Sequence, residues 1–507
     1  MKTIKILFFA VALMLGISSC SSSWLDQDLN GGTLSQEEVD ELDDATTLLV
    51  RGLYSLMYEV TTDDHDKFGQ KSVDITTDLM SGDMSMTSNS YGWFTDAASW
   101  SCYGSTSSRN SYHWSYYYTM IMNANSAIKT LAAKEYSEMS DAEKDSYAQA
   151  LSMRAYCYFN LLNLYKPGRA DDATDYYTGG SGLDYGTVPV YNETTYTEAG
   201  LVEEQGLSAA GDIYKFVISD LTYAISLFEE SAQARESKLF VDVNVARGLL
   251  AYTYLQYEQF DSAYTVAKRI IDSGEFSIID LDDVTETGFV SISDNSWMWG
   301  LEVTIENTGA LASFWGHMDI FTYSYCYVGN YKGCDDVLYN SIPETDARKG
   351  WFDESKDYLP SGKFYDLARG ATADAIDRSW LNDLVYMRVE EMYLIAAEAA
   401  SEMNNLSESR EILATLLDQR DETTAASVRA GSGSLNDLLY YNWRVEMWGE
   451  GRGLMTFKRF GISKTLGSTQ YYKSGSDLSP FSVASGILFA VPYSEVTYNP
   501  NINQYTE

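Results

Sequence analysis

The stretch DVNVARGLLAYTYLQYEQFDSAYTVAKRIIDS, residues 242–273, constrains the fold more than any other part of the chain. Leu250, Ala251, Tyr254, Ala263, Ala267 and Ile270 fall at the spacing of a tetratricopeptide helix pair. Small residues let two antiparallel helices approach closely, and Tyr254 fills the gap between them. A comparable pair spans 387–420, through Leu394, Ala397, Ala400, Ser409, Leu413 and Leu416. Earlier segments add long amphipathic helices. About 113–133, Tyr117, Ile121, Ala124, Ile128 and Leu131 share one face. About 140–165, Ser140 and Glu143 form a capping box, and Ala148, Leu151, Ala155, Tyr158, Leu162 and Tyr165 share a face. Another helix is predicted near 211–230, and one near Ser35 carries Leu42, Leu49, Leu53 and Leu56. Only seven prolines interrupt the chain. The predicted fold is mainly α, a tetratricopeptide-like helix-pair scaffold. Residues 61–112 and 166–206 read as loops. Residues 276–384 read as an irregular, loop-rich elaboration carrying short strands (SWMWGLEVTI, HMDIFTYSYCYV).

The N-terminus predicts where the chain works. Lys2 and Lys5 precede the uncharged run ILFFAVALMLGI, too short for a membrane span of roughly 20 apolar residues. This is the pattern of a signal peptide over 1–19. The ISSC ending at Cys20 resembles a bacterial lipobox, in which the cysteine becomes a lipidated N-terminus; the alternative is a plain signal with an incidental cysteine. Residues 20–36 then form a tether, and 37–507 a single helical domain. Acyl chains would hold the protein on a membrane at about 0.8 kcal/mol per buried methylene.

Charge and rare residues exclude several functions. Lys and Arg total 35 against 73 Asp and Glu, a net charge of −38. Nucleic acid, which needs a basic footprint, is excluded as a partner. A glycan ligand is expected to be neutral. His65, His113 and His317 are the three histidines, and no HExxH occurs, which argues against catalytic zinc. Asp63-Asp64 and Asp282-Asp283 fit no EF-hand loop and read as solvated charge. No metal or cofactor is expected. Cys102, Cys157, Cys326 and Cys334 contain no CxxC; pairing of Cys326 with Cys334 stays open.

Aromatics are abundant, with 40 Tyr and 11 Trp, and favour ligand platforms. Sugar rings present apolar faces to aromatic rings and hydroxyls to polar side chains. Tyr117, Tyr158, Phe159 and Tyr254 lie on helical faces and are expected to pack. Loop aromatics are the candidates: Trp93 and Trp100, beside Asn89 and Asp96, and Trp315. Tyr325 is another, sharing a predicted strand face with Tyr323 and Tyr327. Trp297 and Trp299 lie in a strand-like run from which at most one faces outward. The alternative for each is packing. The carboxylates form no recognisable catalytic pair, so a glycoside hydrolase is a lesser reading.

Several segments together resemble the SusD/RagB family of outer-membrane nutrient-binding lipoproteins. WLDQDLNGG follows Cys20. WSYYYTMIMNANSAI carries Asn123, Ala124 and Asn125. ALSMRAYCYFNLLNLY carries Arg154, Ala155, Tyr156, Tyr158 and Phe159. GTVPV follows at 186–190. YMRVEEMYLIAAEAA carries Arg388, Glu391, Tyr393, Leu394, Ala397, Glu398 and Ala399. RVEMWGEGRGLMTFKRFG carries Glu446, Glu450, Gly451 and Arg452, and VPYSEVTYNPNINQ closes with Pro492, Glu495, Asn499, Pro500 and Gln504. The resemblance implies a helical, non-catalytic protein, lipid-anchored in the outer membrane and facing outside. It would bind an oligosaccharide or polysaccharide, or less often a peptide, and deliver it to a SusC-like TonB-dependent transporter. A tetratricopeptide scaffold binding only proteins is the alternative.

Overall fold

A computed structural model describes residues 45–59, 64–169, 174–175, 177–195, 202–287, 289–364, 380–470 and 487–502. Cys20, the tether, the predicted helix start near Ser35, Asp63 and Gln504 lie outside these residues. From Leu49 onward the chain forms one compact unit.

Helix α1 (Ala45–Leu56) leads to α2 (Gln70–Ser81), strand β1 (Met84–Met86) and the single turn α3 (Thr95–Ala98). Two long helices follow, α4 (Ser108–Ala132) and α5 (Asp141–Tyr165). Strands β2 (Gly186–Pro189) and β3 (Leu207–Ala209) pair antiparallel ahead of α6 (Ala210–Glu230), α7 (Val243–Gln256) and α8 (Phe260–Ser273). Next come β4 (Trp297–Leu301), α9 (Phe314–Met318), β5 (Lys332–Cys334), α10 (Asp336–Ser341), β6 (Phe352–Asp353) and β7 (Leu359–Pro360). β8 (Leu384–Arg388) runs directly into α11 (Val389–Glu402). Helices α12 (Leu406–Leu417), α13 (Glu422–Arg429), α14 (Leu435–Glu446), α15 (Gly453–Phe460) and α16 (Tyr493–Tyr498) complete the order.

The fold is mainly α and tetratricopeptide-like. From α4 to α8 each helix packs on the next in sequence; α8 then packs on α11, and α11 on α12. The elaboration is thus inserted between two helices that touch. Local chemistry sets the ends. Ser140 accepts from the Glu143 amide while the Glu143 carboxylate accepts from the Ser140 amide, the predicted capping box. Asp242 caps α7 through the amides of Asn244 and Val245, and Gly274 ends α8 at φ +67°. Tyr117 and Tyr158 are fully buried and Phe159 nearly so; Tyr254 is half-buried. Trp297 and Trp299 both lie in the core, with a register shift between them, so neither faces outward. The four described cysteines are buried free thiols, and Cys326 does not pair with Cys334.

Two expectations fail. Residues 61–112 are not mainly loop: α2 lies there, and all 12 of its residues are buried. Its sequence, QKSVDITTDLMS, has too many polar residues to show an apolar stripe. It is buried because its polar groups are paired. Lys71 pairs with Asp74 at 2.9 Å, Tyr117 donates to Gln70, and Asp78 accepts from the amides of Gly451 and Gly453. Residues 317–328 are not a strand. They form α9's last turn and a coil in which Asp319 accepts the amides of Phe321 and Thr322, so alternation along a strand face is lost.

Candidate functional site

Two loops meet because β1 and β5 pair antiparallel, Met84 opposite Cys334 and Met86 opposite Lys332. One loop leaves β1 through residues 87–94; the other enters β5 through 319–331. They touch beyond the ladder, where the Tyr331 amide donates to the Ser88 carbonyl (3.0 Å). Between them lies a cluster of rings. Trp93 stacks on His65 at 5.5 Å and 10°. Tyr325 meets Tyr91 edge-on at 5.2 Å and Trp93 at 5.9 Å, and its hydroxyl hydrogen-bonds His65 Nδ1. Tyr91 is about half exposed (54%) and Trp93 partly so, and through these two the cluster reaches solvent.

A polar layer holds these rings. Asn89 Oδ1 accepts from the Gly92 amide (2.7 Å) and from Asn330 Nδ2 (3.0 Å). Buried Lys332 donates to Asn330 Oδ1 (2.6 Å) and to His317 Nδ1 (3.4 Å). Burial, with Lys332 beside it, keeps the His317 pKa well below its usual value, so the ring is neutral and its Nε2 donates to the His65 carbonyl (2.8 Å). Burial likewise lowers Lys332 to about 8. Phe94 sits in the left-handed region at φ +62°, a strain of about 1 kcal/mol or more. Its amide donates to Asp66 (3.2 Å), and the Arg109 guanidinium lies 4.7 Å over its ring.

These contacts sort the predicted residues. Trp93, Tyr325 and Asn89 come together. Asp96 is partly exposed and grips Arg109 Nε at 2.8 and 3.0 Å, and no ring contact joins it to the cluster among the described residues. Trp100 and Trp315 are corrected to core residues. Trp100 is buried and donates its indole N–H to the Met80 carbonyl (3.0 Å). Trp315, 2% exposed, donates to the Asn382 carbonyl (2.7 Å) and packs against Phe314 and Phe364. Tyr325 is itself nearly buried (8%), while Tyr323 and Tyr327 are exposed, so the three do not share a face. Tyr91 and His65 are the members that sequence reasoning missed. Tyr91's only signal is its place beside Gly92 and Trp93.

The charged motif residues Arg154, Arg388, Glu391, Glu398, Glu446, Glu450 and Arg452 lie elsewhere, in largely buried ion clusters. Arg388 Nη1 donates to Glu446 (2.7 Å) and its Nη2 to Glu450 (2.9 Å). Arg420 Nη2 donates to Glu446 (2.9 Å) and Glu390 (3.0 Å), and Arg348 Nη1 to Glu446 (3.1 Å). Lys363 donates to Glu450 (2.7 Å), and Arg452 to Glu391 (2.9 Å). Burial raises the Glu446 pKa, but Arg420 and Arg388 outweigh it and hold the carboxyl well below its usual range. Arg154 similarly joins Asp220 (2.8 Å) and Asn125 (2.8 Å). These residues fasten helices together.

A SusD-like family profile described as "Starch-binding associating with outer membrane" matches residues 33–255. The SusD family profile matches 318–507, leaving only the first 32 residues and 256–317 unmatched. The chain belongs to the SusD/RagB family. No curated protein matches. A SusD-like carbohydrate binding protein from Bacteroides vulgatus superposes with TM-score 0.71 at 20% identity, covering 90% of this chain and 96% of that one. A SusD superfamily protein from Bacteroides thetaiotaomicron gives 0.71 at 19%, covering 92% and 99%. One from Bacteroides fragilis gives 0.69 at 19%, covering 92% and 100%. At these identities the likeness establishes the SusD fold. Trp315 falls in the span that neither SusD profile matches.

Proposed function

We propose that this SusD/RagB protein is a non-catalytic, cell-surface glycan-binding lipoprotein, anchored through Cys20 in the outer membrane. It captures oligosaccharides on the Tyr91–Trp93–Tyr325 patch and delivers them to a SusC-like TonB-dependent transporter. The observation that carries the reading is the exposed ring cluster, braced from beneath by Asn89, Asn330, Lys332 and His317. Rings held in place before binding lose little freedom on contact, which favours weakly polar sugar faces. The family's printed description as starch-binding and outer-membrane-associating supports both ligand class and location.

The test is calorimetry against neutral oligosaccharides with Tyr91→Ala and Trp93→Ala. A sugar face covering about 50 Å² of ring contributes about 1.3 kcal/mol, or about tenfold in Kd. Both substitutions are expected to weaken binding about tenfold. Binding of a glycan with unchanged affinity in both variants rejects the patch. Release of shortened product rejects the non-catalytic reading, and binding of peptides alone rejects the glycan.

A further inference from the structure

A second site lies away from the aromatic patch, where α5 ends against α7 and α15. There a cavity of about 30 Å³ opens to solvent, lined by Lys166, Arg169, Gln256, Glu258, Lys458 and Arg459 among others. In a chain of net charge −38, four cations facing one cavity with one carboxylate is a local inversion of sign. Part of it is structural. Lys458 donates to the Asn163 carbonyl (2.8 Å) at the C-terminal end of α5, where a cation suits the helix dipole. Arg169 donates to Glu258 (2.9 Å) and Glu402 (2.8 Å).

Among the described residues, three donors are left over. Arg459 is 4% exposed; its Nε and Nη2 grip Glu398 at 2.7 and 3.0 Å, while its Nη1 is buried without an acceptor. Gln256 Nε2 is also buried without an acceptor. Lys166 reaches only the Pro167 carbonyl (3.3 Å), and among the described residues no carboxylate pairs with it. Burial lowers its pKa, Glu258 nearby opposes that shift without reversing it, and Arg169 adds to it. A buried unsatisfied donor is costly, and more so when charged. All three want an acceptor, and Lys166, the cation among them with no paired carboxylate, wants a negative one.

We propose that this cavity binds a small oxyanion, a carboxylate by size. One water needs roughly 10–15 Å³ of such space, so the cavity accepts a two-oxygen head group and its open mouth leaves room for a larger body. One carboxylate oxygen accepts from Arg459 Nη1 and Gln256 Nε2, and the other faces Lys166. The source is either a free carboxylate or the uronic acid of a glycan.

Titration calorimetry of the full mature chain separates these. Sodium acetate and glucuronic acid are the two probes, and the variants are Lys166→Gln and Gln256→Leu. Neither position belongs to the aromatic patch, and neither side chain is in an ion pair. Saturable millimolar binding is expected, weakened about tenfold (about 1.4 kcal/mol) by Lys166→Gln and measurably by Gln256→Leu. Glucuronic acid binding tighter than acetate identifies a sugar acid; equal affinities identify a free carboxylate. Neither probe binding, or binding unchanged in both variants, overturns the site.

Discussion

Replacing Glu446 by Gln should destabilise this protein more than its conservative shape suggests. The buried cluster sets four cations, Arg348, Lys363, Arg388 and Arg420, against four carboxylates, Asp346, Glu390, Glu446 and Glu450, and every side chain is at most 4% exposed. Glu446 alone accepts from three guanidiniums, at 2.7 to 3.1 Å. Glutamine keeps the volume, so no cavity forms, but it removes the charge and leaves four cations against three anions. Breaking a buried pair on one side costs about 3–5 kcal/mol, because the remaining charge is stranded in a medium that solvates it poorly. Urea unfolding followed by circular dichroism measures the loss. Glu411→Gln is the control, since its pair with Arg429 is exposed and contributes about 1 kcal/mol or less. Adding Arg420→Met to Glu446→Gln restores three against three. The double variant should therefore lose less than the two single losses added together. A Glu446→Gln loss of about 1 kcal/mol, equal to the control, would refute the argument that these charges act as a dry, balanced cluster.

Other outcomes follow from the same structure. Arg388 and Lys363 overcome the effect of burial and hold Glu450 at about 2, below its unfolded value of 4.5. Its folded pKa is depressed, so its contribution is complete above about 4.5 and lost as pH falls towards 2, readable as an acid-side drop in melting temperature. Burial raises Asp78 to about 7, so the sign reverses: its contribution is complete below about 4 and lost as pH rises to 7. Asp78→Asn should flatten that part of the pH profile. Trp315→Ala should destabilise by about 3–5 kcal/mol through an unfilled core cavity, and leave glycan affinity unchanged in calorimetry on the folded fraction.

The helical scaffold was legible because periodicity and caps are local. Leu250, Ala251 and Ala263 carry the helix-pair spacing, and Ser140 with Glu143 announces the start of α5 within four residues. Helix α2 was not legible. Its polar residues are satisfied by Tyr117, Gly451 and Gly453, partners that sequence distance hides. The candidate site divided the same way. Aromatic composition marked the loops, but Trp93 and Trp315 look alike in sequence. Only the fold buries one against Phe314 and Phe364 and leaves the other beside Tyr91.

Sequence alone therefore determined the helix-pair architecture and the family motifs, since each rests on residue type and short-range spacing. Tertiary structure decided what those residues do. It turned Arg388, Glu446 and Glu450 into internal fasteners, because burial leaves a charge no solvent but its opposite. It joined two distant loops into one aromatic face through the β1–β5 ladder. It also gathered Lys166, Gln256 and Arg459 around one cavity. Such convergence depends on where three helices end in space, and no local pattern in the chain encodes it.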